Sequence, residues 1–438
     1  MAKKRDDKGR SKRRPNKVEE SDDSDSALND TASVNSYCSS SRAENEETNN
    51  GKKDTPVNQD DLEDDSDIDP INDFESKFDL VLDYLQSSKS GKSRQMHYES
   101  LSKALTTRFC LDLLDNRRIT IQDILEHGLK RSDDEVGHAA HLLSLVLITM
   151  GTSDYCDEIF RELFALLNRT LMDTTANPIV RSKCAIALSL GCFITDYGME
   201  KTRQILNQLL LVGFTTVKGH PDQNQLNSIH SMKATCLDMF SFLVSIESDA
   251  FMVDSLMENI DQLASSLDSP NLVMRVAAGE CIALLMEKYY ELDDDYQLDQ
   301  LNSICDKLQK LATDSQKSRS KKVLREQRSN FRQILRTVEG DEFGEEIIKI
   351  GQESVRIECW QSKRYYDTFC LVLASGTNLH LTQNVLLRDI FDLGPVVIDN
   401  GKVRKISKFE KNFINNYNRK AREINRGKQR GKRADYDL

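Results

Sequence analysis

The chain has 438 residues, of which 38% are hydrophobic and 30% charged, and its formal net charge is −11. That length suits two or three units of roughly 100–200 residues, and the mixture fits a soluble protein with long unpacked stretches. No run nears the roughly 20 apolar residues that cross a bilayer, and the opening Met-Ala-Lys-Lys-Arg lacks the apolar core of a secretory signal.

The expected location is therefore cytoplasmic and nuclear. The ten cysteines form no CxxC pair, which in a reducing compartment reads as free thiols used as small buried hydrophobes. The net charge hides segregation. Residues 1–17 carry nine Lys/Arg, residues 18–75 carry nineteen Asp/Glu, and residues 402–438 carry thirteen Lys/Arg against Glu410, Glu423, Asp435 and Asp437. An acidic total argues against a polyanion partner, but the last segment argues for one.

Residues 1–75 are rich in Ser, Asp, Glu and Asn, too poor in apolar side chains to offset their ordering entropy, and are expected to be disordered. Lys3-Lys4-Arg5 with Lys12-Arg13-Arg14 reads either as a bipartite nuclear signal or as a solvated basic end.

Residues 76–315 are expected to form a HEAT/armadillo-like α-solenoid. Apolar residues recur at three- and four-residue spacing throughout. One motif repeats at Val136/Ala140/Leu143, Val180/Cys184/Ala187-Leu188, Met232/Cys236/Met239-Phe240 and Met274/Ala278/Cys281-Ile282. Its steps are 44, 52 and 42 residues, two of them within the roughly 40–47-residue period of such repeats. The long step is assigned to the breaker cluster Lys218-Gly219-His220-Pro221-Asp222. Arg181, Lys233 and Arg275 follow the first motif residue. Second helices are predicted at 156–173, 198–211, 251–267 and 298–312. A generic helical bundle is the alternative. Three helix starts are marked: a capping box Ser132-x-x-Glu135, and Asn177-Pro178 and Ser269-Pro270.

Residues 316–401 break the pattern. A long basic helix is predicted over 316–338, with an apolar stripe of Leu324, Phe331, Ile334, Leu335 and Val338. Lys321, Arg325, Arg328, Arg332 and Arg336 fall on a second stripe beside it, a candidate secondary phosphate contact. Alternating runs at 347–350 and 354–360 predict a β-hairpin, followed by helices at 365–374 and 383–391. Gly394-Pro395 ends the second helix, and 396–398 is a candidate returning strand. This is a small α+β module distinct from the repeats in pattern.

Residues 402–438 are expected to be a basic C-terminal helix and tail, opened by the capping box Ser407-x-x-Glu410 and bearing Phe409, Phe413 and Tyr417 on one stripe. Dense Lys and Arg are what a polyanion needs to release its counterions. The competing readings are a nuclear signal and a solvated tail. The aromatics stack on unpaired bases or, more conventionally, anchor the helix on its own body.

No motif supports an enzyme, a metal or a cofactor. His138-x-x-His141 lacks the spacing, the glutamate and the third ligand of a metalloprotease helix. Gly427-x-x-x-Gly431-Lys432-Arg433 is one residue short of a P-loop and lacks its Ser/Thr. Asp293-Asp294-Asp295 has no calcium-loop glycine. Nothing suggests a small-molecule substrate or a membrane partner.

Several stretches resemble the interferon-related developmental regulator family: Phe331-Arg332-Gln333-Ile334-Leu335-Arg336-Thr337-Val338-Glu339, Ile357-Glu358-Cys359-Trp360, Tyr366-Asp367-Thr368-Phe369, Leu393-Gly394-Pro395, Lys405-Ile406-Ser407-Lys408-Phe409-Glu410 and Lys432-Arg433-Ala434-Asp435. The likeness is strongest over 321–435 and looser from about 75. It implies two roles. One is a non-enzymatic factor on translationally inactive ribosomes, whose body blocks tRNA sites while a C-terminal helix occludes the mRNA channel. The other is a nuclear transcriptional co-regulator in differentiation, working through co-repressor complexes bound by the helical repeats. Under the first, the contacts with ribosomal RNA fall on Lys405, Lys408, Lys411, Arg419, Lys420, Arg422, Arg426, Lys428, Arg430, Lys432 and Arg433.

Overall fold

The computed structural model describes residues 70–217, 219–292, 298–313, 321–351 and 353–396. The expectations for the N-terminal tail, for Asp293-Asp294-Asp295 and for the basic C-terminal segment lie outside the described residues.

The fold is mostly helical. In chain order the helices are α1 (Pro70–Ser87), α2 (Gly91–Thr107), α3 (Leu111–Asn116), α4 (Arg118–Leu129), α5 (Asp133–Met150), α6 (Asp154–Met172), α7 (Pro178–Ile194), α8 (Met199–Phe214), α9 (Gln223–Val244), α10 (Asp249–Ser266), α11 (Leu272–Leu292), α12 (Leu301–Thr313) and α13 (Lys321–Val338). An antiparallel hairpin follows, β1 (Glu346–Ile350) and β2 (Glu353–Ile357), with Glu346 opposite Ile357 and Ile350 opposite Glu353. Then come α14 (Trp360–Leu373), a single 3-10 turn, α15 (Thr377–Gln383) and α16 (Val385–Ile390).

The repeat period becomes architecture through two kinds of helix. Inner helices α5, α7, α9 and α11 stack one on the next in chain order, which buries most of α5, α7 and α11 and the C-terminal half of α9. That is why these stretches are apolar nearly all round. Outer helices α6, α8, α10 and α12 bury one stripe each and are strongly amphipathic, as in α6 with Ile159, Phe160, Leu163 and Leu167. The approach of α6 to α7 depends on Gly191, where a Cβ would overlap the buried Phe160 ring.

The basic motif position has a structural use. Arg181 Nε donates to the Leu171 carbonyl in the last turn of α6 (2.9 Å). Arg275 Nη1 donates to the Ser269 carbonyl after α10 (2.8 Å). Both satisfy carbonyls that a helix end or turn leaves without partners. Lys233, at the same position after the long step, is half-buried, and burial lowers its pKa.

Of the three predicted helix starts, only Asn177-Pro178 stands as read: Asn177 accepts from the Ile179 amide (2.9 Å), with Pro178 at the first position. The capping box at Ser132 does not form. Glu135 is instead held by both Nε and Nη2 of Arg94, each at 2.7 Å, a charged partner 41 residues away that outcompetes a local amide. At Ser269-Pro270 the helix begins two residues later than read. Asn271 is the cap, accepting from Val273 (2.9 Å).

Two further boundaries are corrected. The second strand ends at Ile357, and Trp360 opens α14, because the Cys359 side chain and Ser362 form a reciprocal cap there. The helix read over 383–391 is α16, which starts at Val385, and the unpredicted α15 ends just before it at Gln383; Asn384 between them is extended, caps α16 through Leu386 (2.9 Å) and donates to the Ile148 carbonyl of α5 (2.8 Å). Val396 is in no strand, and the rest of that candidate strand lies outside the described residues.

One apolar core runs from Phe78 to Leu387, and the C-terminal module shares it. The described cysteines are free thiols, most of them buried. No described helix is long and apolar enough to cross a membrane.

Candidate nucleic-acid interface

Helix α13 packs on α11 and α12, continuing the stack beyond the last full repeat. Phe331, Ile334, Leu335 and Val338 are buried, as their stripe predicts. The neighbouring stripe points outward. Arg325, Arg332 and Arg336 are exposed and Arg328 is half-buried; Lys321 begins the helix. Among the described residues neither Arg332 nor Arg336 meets a carboxylate. An outward row of guanidiniums rising 1.5 Å per residue is suited to phosphates, onto which each Arg can fork.

The module after α13 turns back along the inner helices and covers their C-terminal ends. Gln361 Nε2 donates to the Ser245 carbonyl just after α9 (3.1 Å). Asn384 meets α5 at Ile148, and His380 Nε2 lies 2.9 Å from the Leu105 carbonyl of α2. These donors satisfy carbonyls that helix ends leave open, and they complement the negative end of each helix dipole. Phe193 of α7 and Phe242 of α9 meet Tyr365 and Phe369 of α14 in mutual edge and tilted contacts.

A buried ionic cluster fixes α14. Arg364 spans Asp238 on α9 (2.9 Å) and Glu280 on α11 (2.6 Å). Lys363 lies 2.5 Å from Asp367 and 3.5 Å from Glu280. Burial opposes ionisation of Glu280, but the two cations prevail and hold its carboxyl below the usual range.

Glu287 of α11 meets the start of α14, accepting the Trp360 amide on both oxygens (3.1 and 3.2 Å). Burial pushes its carboxyl up to about 7. A carboxyl raised in the folded state favours folding at low pH, and that contribution is lost as pH rises from its ordinary value, near 4.5, through about 7. Glu287→Gln keeps the acceptor and removes the charge. It is expected to be more stable than the wild type at pH 8, by on the order of 1–3 kcal/mol, with the gap narrowing at pH 5. Thermal melts of both proteins at the two pH values check this, and an equal gap at both would refute the assignment.

The chain leaves the module through a second built site. Arg388 of α16 is 2% exposed. Its Nη1 and Nη2 hold both oxygens of Glu353 on β2 (2.8 and 2.7 Å). The same guanidinium donates to the carbonyls of Leu393 (2.7 Å), Gly394 (2.9 Å) and Pro395 (3.0 Å) in the turn after α16. The hydrogen-bonded Arg388 holds the Glu353 carboxyl below its usual range. Gly394 has φ +68°, a left-handed turn that suits glycine.

The predicted residues thus divide. Arg325, Arg328, Arg332 and Arg336 of the α13 stripe share one described face, with Arg328 half-buried. Lys405, Lys408, Lys411, Arg419, Lys420, Arg422, Arg426, Lys428, Arg430, Lys432 and Arg433 lie outside the described residues. His138 sits 3.8 Å from Glu99, and His141 is pushed down to about 4 by burial. The described residues hold no group of three or more His, Cys, Asp or Glu arranged for a metal. Arg364 and Arg388 escaped sequence reading. Arg388 gave a faint signal, a cation next to the apolar pair Leu386-Leu387, and Arg364, beside Lys363 and Tyr365, gave none.

Comparison with known proteins bears on this arrangement. The pattern described as "Interferon-related developmental regulator" matches residues 31–339, and "Interferon-related protein conserved region" matches 384–434. The chain is 37% identical over 368 residues to interferon-related developmental regulator 2 of Mus musculus, covering 83% of each. It is 36% identical over 372 residues to interferon-related developmental regulator 1 of Homo sapiens, covering 83% of this chain and 82% of that one.

Proposed function

This chain belongs to the interferon-related developmental regulator family, and from that premise we propose that it is a non-enzymatic scaffold that binds translationally inactive ribosomes and keeps them silent. The observation that carries the reading is the charge of the tail: thirteen Lys/Arg against four acidic residues in 402–438. No bond is made or broken. Counterion release from RNA drives the tail into the mRNA channel, and the helical body blocks tRNA sites.

A nuclear co-regulator whose repeats capture protein partners is the rival. Helix α14 packs against α5, α9 and α11, three of the inner helices such a partner would use.

Sedimentation of the full chain and of residues 1–401 with empty ribosomes, across a salt series, separates the two. The full chain should co-sediment and lose affinity steeply with salt, by about a thousandfold or more between 50 and 200 mM if six or more phosphates are neutralised. The truncated chain should stay in the supernatant. Equal binding by both proteins refutes the tail mechanism. Binding by neither at physiological salt gives the co-regulator reading the field.

A further inference from the structure

We propose that the arginine face of α13 binds the sugar–phosphate backbone of double-stranded RNA. This rests on the RNA-binding reading above and adds to it a contact on the folded body, with a stated form of RNA.

The spacing suits a backbone. Arg328, Arg332 and Arg336 follow one another at four-residue intervals, so each is turned only about 40° from the last and stands about 6 Å farther along the helix. That step is close to the separation of consecutive phosphates along one RNA strand. Arg325, a turn before Arg328, falls within the same arc.

The fold leaves this row unused. The chain has 71 acidic residues against 60 basic ones, and arginines elsewhere find carboxylates: Arg94 meets Glu135, Arg117 meets Asp79 and Arg203 meets Glu247. Among the described residues, Arg328, Arg332 and Arg336 have no carboxylate within ion-pair distance. Two carboxylates beside α13 are met by its amides instead. Asn330 donates to Glu280 (3.4 Å) and Gln333 to Glu346 (3.2 Å). Arg336, in the last turn, also complements the helix dipole. Arg332, a turn earlier and fully in solvent contact, has no such use.

The face is fixed and carries no ring. Phe331, Ile334 and Val338 behind it are buried. Tyr290 donates to the Val338 carbonyl, and Trp360 Nε1 to Thr337, each at 2.8 Å. Phe331 is the one aromatic residue of the helix and is 0% exposed. Unpaired bases bind by stacking on exposed aromatic faces, and α13 offers none. Duplex RNA needs none, because its deep, narrow major groove closes the base edges to side chains and leaves the backbone to be recognised. Each guanidinium forks onto phosphate oxygens, and a row held at regular steps matches a regular duplex.

The test uses the full chain and two probes, a blunt RNA duplex of about 20 base pairs and one of its strands alone. Arg332→Gln with Arg336→Gln removes two phosphate contacts. Affinity for the duplex should fall on the order of tenfold at about 100 mM salt, and the slope of log affinity against log salt should become shallower by about two. Affinity for the single strand should stay within about twofold. Arg332→Lys with Arg336→Lys keeps the charge and should keep the slope. Both side chains are exposed, so all variants should melt with the wild type. Unchanged duplex binding by the Gln pair overturns the proposal and leaves an acidic protein surface as the partner of the row. Equal losses on duplex and single strand overturn it too, since the row would then not distinguish paired RNA. Failure of the tail reading shows elsewhere, in equal sedimentation of the full chain and residues 1–401 with ribosomes.

Discussion

Arg364→Met should destabilise the docked α14 by about 3–5 kcal/mol, among the largest effects of any single change in this protein. Met matches much of the arginine volume, so the loss is electrostatic rather than a cavity. Among the described residues Arg364 makes the direct ion pair with Asp238 (2.9 Å) and is the nearest cation to Glu280 (2.6 Å), with Lys363 acting on Asp238 only from farther away. Without it, three carboxylates share Lys363, and desolvation already opposes the charge on Asp238 and Glu280. Hydrogen exchange over residues 360–373 reads the opening directly, and a urea midpoint reads its share of global stability. Two controls sharpen the outcome. The deficit should shrink as pH falls, because protonation relieves the excess negative charge. Adding Glu280→Gln should recover part of it at neutral pH. Near-wild-type exchange for Arg364→Met would mean that the cluster is solvated and does not hold α14.

The same helix shows where sequence reasoning stops. Apolar periodicity located the inner and outer helices and the buried stripe of α13, because a period of 3.6 residues needs no knowledge of the partner. The α13 Arg row was legible for the same reason, and the tail was legible as a charge count. What stayed hidden were polar residues whose partners are distant in sequence. Ser132 and Glu135 satisfied a local rule, and Arg94 overrode it. The strand read through Trp360 is half hairpin and half helix cap, because alternation over four residues does not separate the two. Arg364 and His380 fell outside the helices predicted at 365–374 and 383–391, and Asn384 and Arg388 were ordinary polar positions within the second. Their roles come from Glu280, Leu105, Ile148 and Glu353, between 35 and 275 residues away. The module's path along the ends of the inner helices follows from those pairings, so its docking could not be read from pattern.

Gly376→Ala is expected to undock the far end of that module, at a cost of about 3 kcal/mol or more. Gly376 closes the 3-10 turn at φ −88°, which alanine tolerates, so the requirement is space and not backbone freedom. An added Cβ would overlap the carbonyl oxygen of Thr106 in the last turn of α2. That oxygen belongs to backbone and cannot rotate away as a side chain would. Next to it, His380 meets the Leu105 carbonyl and packs edge-on against Phe109, so the two strips of backbone are held together on both sides of the clash. Retreat of α15 is the easier response, and it gives up those contacts with the Asn384 bond to α5. Limited proteolysis should then cut within 374–396 while the repeats from α5 to α11 resist, and the melting temperature should fall by several degrees. A variant that melts with the wild type and is cut no faster would show that α15 does not press on α2.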